Sequence, residues 1–112
     1  MNILDELFDL LSDERRRYAL YYLEQQDEPI SVEELAEKVA EWETSDSNNA
    51  ILEERFERIK LEFYHTDLPK ASNASYVRYD RREGIVELSR MPPEVGAIIH
   101  VAKVIERPER NL

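Results

Sequence analysis

Residues 50–70, AILEERFERIKLEFYHTDLPK, place Leu52, Phe56, Ile59 and Phe63 at i, i+4, i+7 and i+11. That spacing is one face of a helix with 3.6 residues per turn. Asn48 or Asn49 can cap its start, and Pro69 is expected to forbid much continuation. At 100° per residue the opposite face holds Glu54, Glu57, Arg58, Leu61 and His65, with Arg55 and Lys60 on the flanks. ASNAS (71–75) reads as a turn. Tyr76–Tyr79 and Ile85–Leu88 are short β-rich runs joined by the charged turn Asp80–Gly84.

Working back towards the N-terminus, TSDSNN (44–49) is a polar loop. Before it, Ser31-Val32-Glu33-Glu34 is a capping box, with Ile30 and Leu35 at the positions of a hydrophobic staple. A helix is predicted from there to about Trp42, with Val32, Leu35, Ala36 and Val39 inward. Pro29-Ile30 breaks the preceding helix and allows a short strand. That preceding helix, DERRRYALYYLEQQ, can be capped by Ser12. Ile3, Leu4, Leu7, Phe8 and Leu11 stripe a first amphipathic helix over residues 3–11.

Working forward, Pro92-Pro93 opens a last helix, EVGAIIHVAKVIER, that is apolar on most sides. A helix of that kind should be buried on most sides, and one small domain covers only one of them. Residues 93–107 are therefore expected to hold a homodimer, with Val95, Ile98, Ile99, Ala102 and Ile105 at the interface. The order of short helices, long helix and β-hairpin predicts an α+β, mostly α fold. It is that of a winged helix-turn-helix over residues 1–90, with an added C-terminal dimerisation helix over 91–112. The six-residue loop at 44–49 is longer than the turn of a tight helix-turn-helix.

The length of 112 residues suits one domain with one modest core. No Cys is present, which excludes disulfides, thiolate metal sites and a Cys nucleophile and fits a reducing interior. No run approaches a membrane span, and the acidic start MNILDELFDLL is unlike a signal peptide, so a cytoplasmic protein is expected. The net charge of −10 lies entirely in residues 1–50, with 4 bases and 14 acids; residues 51–112 hold 11 of each. Between Arg55 and Arg82 the local balance is +3, from 7 bases and 4 acids. Arg outnumbers Lys 11 to 4. An acidic, Lys-poor chain suits a cytoplasm of very high salt, where the Debye length falls to about 3 Å and net charge repels DNA far less.

Little points to catalysis. His65-Thr66-Asp67 offers two metal ligands without a partner cluster. His100 sits in the apolar last helix, as an interface or core-edge residue. The 25 carboxylates single out no general-acid pair, and no Gly-rich phosphate loop is present. Neither an enzyme nor a cofactor or metal site is expected. Tyr64, Tyr76 and Tyr79 are expected to pack at the core edge rather than stack on bases. Arg15, Arg16 and Arg17 point in three directions, either to solvent and the acidic first helix or, for one or two of them, to a phosphate.

The runs LFDLLSDERRRYALYYLEQQ, SVEELAEKVAEWE, YHTDLPK and VRYD resemble the small haloarchaeal winged-helix domains of unknown function. The resemblance covers roughly residues 3–89. Its specific parts are the triple Arg, the Trp42-Glu43 pair and the Tyr-His-x-x-Leu-Pro-Lys run. Two departures stand out: Asp67 where a second His is expected, and Asn73–Ser75 in place of a Gly-containing turn. The resemblance implies a transcriptional regulator by analogy of fold. Double-stranded DNA is then the expected partner, met by Arg55, Arg58, Lys60, Lys70 and the hairpin-tip residues Arg81 and Arg82. The alternative is a winged-helix protein-interaction module that binds no DNA, favoured by the two acids on the outward face of the long helix.

Overall fold

The computed structural model describes residues 2–44 and 49–111. The chain runs α1 (Ile3–Leu11), α2 (Glu14–Glu24), β1 (Ile30–Ser31), α3 (Val32–Glu43) and α4 (Asn49–Glu62). A π-helical turn (Phe63–Asp67) leads into α5 (Leu68–Asn73), then β2 (Val77–Asp80), β3 (Ile85–Leu88), α6 (Pro93–Glu106) and a closing 3₁₀ turn (Pro108–Asn111). The fold is α+β and mostly helical, with one small antiparallel sheet of order β1-β3-β2. Residues 45–48 lie outside the described residues. With them go most of the polar loop and the Asn48 cap.

Local chemistry explains the element boundaries. Ser31 Oγ accepts the Glu34 N–H, so the capping box forms, and Leu35 is fully buried. Ser12 does not cap α2. Its hydroxyl donates back to the Asp9 carbonyl at 2.6 Å and closes α1, while Asp13 takes the Arg16 N–H and caps α2. Pro69 does not end the long helix. It lacks the N–H that an α-turn would require, and the chain widens just before it into a π-turn in which Leu68 N–H reaches the Phe63 carbonyl. Helix then continues through three residues of the expected ASNAS turn and stops at Asn73. Ser75 takes the left-handed conformation there (φ 66°), and Tyr76 N–H closes on the Ala71 carbonyl at 2.9 Å.

The core gathers the inward faces of every helix: Leu7 and Leu10, Leu20 and Leu23, Leu35 and Val39, Ile59 and Phe63, Leu68, and Val95 and Ile99. Val77 and Val86 bring one side of the sheet into it. Trp42 sets its ring edge-on to Tyr18 and Tyr22, joining α3 to α2. In the β2–β3 hairpin, Gly84 adopts φ 67° and its N–H reaches the Asp80 carbonyl at 2.8 Å. The angle favours glycine, and a Cβ at Gly84 would stand 3.2 Å from the Tyr64 hydroxyl, which would have to give by a few tenths of an ångström.

Candidate nucleic-acid interface

The amphipathic reading of α4 holds in space. Ile59 and Phe63 are fully buried, and Leu52 and Phe56 are partly so. Glu54, Glu57, Arg58, Leu61 and His65 are exposed on the other side, Leu61 at 58%. The hairpin packs beside the end of this helix: the Tyr64 and Tyr79 rings lie 6.3 Å apart, and Tyr64 meets Gly84. Tyr76 is buried and donates its hydroxyl to the Ile3 carbonyl. All three tyrosines are therefore occupied in packing.

The candidate bases do not share one surface. Arg55 turns to α3, 3.1 Å from Glu43. Lys70 turns to α1, 2.9 Å from Asp9, and holds that carboxyl below its usual range. Arg58 pairs with Glu54 at 3.3 Å, and Lys60 lies 3.7 Å from Glu57 and over the Phe56 ring. Arg78 pairs across the hairpin with Glu87 at 2.7 Å. Arg81 and Arg82 are exposed on the hairpin turn. Among the described residues, no carboxylate lies within ion-pair distance of either. Arg90, just past β3, is also exposed and was not singled out by the sequence.

The triple Arg is structural. The Arg15 guanidinium donates two bonds of 2.8 Å to Glu43, whose side chain is 6% exposed, and a third to Glu62. Arg16 donates to the Leu10 and Asp9 carbonyls that end α1, and approaches Asp67 at 3.8 Å. Arg17 donates to the Leu11 carbonyl and makes two 2.8 Å bonds to Glu106 in α6. Three successive residues on a helix point about 100° apart, so they tie α2 to three different neighbours. None is turned outward towards a phosphate. His65 is exposed whereas Asp67 is buried, and among the described residues no group of three potential ligands could hold a metal.

In α6, Val95 (8% exposed) and Ile99 (0%) enter the chain's own core, correcting their reading as interface residues. Arg17 and Tyr21 hold Glu106, while Lys103 and His100 hold Glu24, so α6 lies along α2. Ile98 and Ala102 are partly buried at the edge of that contact, and Ile105 is 78% exposed.

Residues 8–87 match a domain of unknown function, DUF7344. The chain belongs to that family. The DUF7344 match takes in the Arg15–Glu43 pair, Asp67 and the hairpin up to Glu87, but leaves out Ile3, Leu4 and all of α6. No curated protein and no solved structure matches the chain. Among the described residues no helix is long and apolar enough to cross a membrane.

Proposed function

We propose that this DUF7344 protein is a winged-helix DNA-binding regulator that acts as a homodimer in a salt-rich cell. The observation that carries the reading is the element order α2-β1-α3-α4-α5-β2-β3, in which α5 continues α4 across the π-turn, with sheet order β1-β3-β2. In that arrangement α3 and α4 form the helix pair, α4 is the recognition helix, and the β2–β3 hairpin is the wing. Glu54, Glu57, Arg58 and Leu61 on the outward face of α4, and His65 just past its end, are exposed, and the wing beside it carries Arg81 and Arg82, which among the described residues have no carboxylate within ion-pair distance. Those two supply phosphate attraction, while Arg58, Glu57 and Leu61 meet base edges; Glu can accept from cytosine N4. The acidic composition supports a salt-rich setting, in which molar salt screens the repulsion between the acidic half and DNA.

A second reading has its own observation. Arg55, Arg58, Lys60 and Lys70 all stand beside carboxylates, and the α4 face has Leu61 among acids. That is the chemistry of a protein-interaction winged helix. The two readings separate on the Arg81→Ala/Arg82→Ala variant. For a DNA binder it weakens all duplexes alike and flattens the log K against log salt slope by up to about two charges' worth. Unchanged DNA affinity in that variant removes the wing from the contact and favours the protein module.

A further inference from the structure

Six large apolar side chains remain exposed on the two terminal helices: Ile3, Leu4 and Phe8 on α1, and Val101, Val104 and Ile105 on α6. Their exposures run from 47% for Leu4 to 78% for Ile105. The apolar stripe of each helix is wider than the core can accept. Leu7 and Leu10 fill α1's place in the core, and Val95 and Ile99 fill α6's, so one flank of each is left out. Both helices pack on α2, and Arg17 joins their C-terminal ends by bonding to the Leu11 carbonyl and to Glu106.

We infer that these two flanks form one docking surface for a second copy of this chain, with α1 of each copy lying on α6 of the other. This deepens the homodimer of the reading above, in which α6 alone was the contact, and it does not depend on DNA binding. Two observations select this occupant and this pairing. The first is area. Half a dozen large side chains at about half exposure present on the order of 500 Å² of apolar surface, towards the upper end of the largest patches on soluble monomers, which are often functional. With a polar rim this reaches the ~800 Å² per partner of a standard stable interface. The second is charge. α1 carries Asp5 and Glu6 and no base, whereas the end of α6 carries the exposed Arg107; Asp9 and Lys103 are already paired with Lys70 and Glu24 in the same chain. Crossed pairing sets unlike charges at the rim; α1 against α1 would set acids together. The crossed arrangement is also two-fold and closes on itself.

The absence of native cysteine makes the test clean. Light scattering of the full chain at high salt should give twice 13.3 kDa. Phe8→Glu and Ile105→Glu should each raise the dimer dissociation constant by about 100-fold or more, with helical content and melting of the monomer unchanged. Mild oxidation of mixed Phe8→Cys and Ile105→Cys chains should give a disulfide-linked heterodimer in larger yield than either variant alone. A wild-type chain that runs as a monomer overturns the dimer altogether. A dimer indifferent to Phe8→Glu, or one in which Ile105→Cys alone cross-links best, overturns the share of α1 while leaving an α6 dimer in place.

Discussion

Asp67 is 7% exposed and stands 3.8 Å from Arg16. Burial, reinforced by the negative charge of Asp13, pushes its carboxyl up to about 6, although Arg16 pulls the other way. The folded chain therefore binds this proton more tightly than the unfolded chain, where an aspartate titrates near 3.8. The stability that proton confers is fully present below about pH 4 and is lost as the pH rises to about 6. Asp67→Asn removes that dependence. In denaturation at a series of pH values, the variant should gain on the wild type by about 2 kcal/mol between pH 4 and pH 7; a difference that stays flat with pH would refute the account. Glu106 works in the opposite sense. Arg17 holds its carboxyl below the usual 4.5, so its contribution is present above that value and fades as the pH falls through the lowered one. At this scale the sequence was least legible. The triple Arg, Trp42-Glu43 and Asp67 stood out as separate motifs, yet they form one set of contacts around α2. Their partners are up to 89 residues away, as Arg17 is from Glu106, and no local pattern encodes such a pairing.

The elements themselves were largely legible, because caps and periodicity are local. The Ser31 box and the Leu52–Phe63 stripe placed α3 and α4, and the turn at Gly84 placed the hairpin, with β2 shifted by one residue. The long helix outran its expected end because a π-turn accommodates Pro69, a device that neither propensity nor periodicity announces. The faces of α6 were misjudged for a related reason. An all-round apolar pattern says that a helix is covered but not which side its own domain covers. Here Ile99 is inside and Ile105 outside. Ile99→Ala should therefore cost about 3 kcal/mol in chemical denaturation, as a cavity in a packed core does. Ile105→Ala should cost under about 0.5 kcal/mol in the monomer. Equal costs would mean that α6 is not seated on α2 in this register. Removing residues 92–112 would strip the core as well as the interface, so point variants are the cleaner probes.

Taken whole, the molecule places its outward features on different elements. The β2–β3 hairpin and the outer face of α4 carry the exposed Arg81, Arg82, Arg58 and Leu61, while the terminal helices carry the exposed apolar flanks. A dimer through α1 and α6 would hold two such α4 helices at a fixed separation, as paired half-sites on a duplex require. The net charge of −10 makes that arrangement costly in dilute buffer and tolerable in concentrated salt. The central claim is that this acidic chain reads double-stranded DNA. Fluorescence anisotropy of the full-length protein against genomic duplex fragments and a random duplex, at low and at molar salt, tests it most directly. The account predicts saturable binding of a subset of the genomic fragments at molar salt, where the repulsion between the acidic half and DNA is screened, and weaker binding of the random duplex. No binding to any duplex at either salt concentration would contradict it.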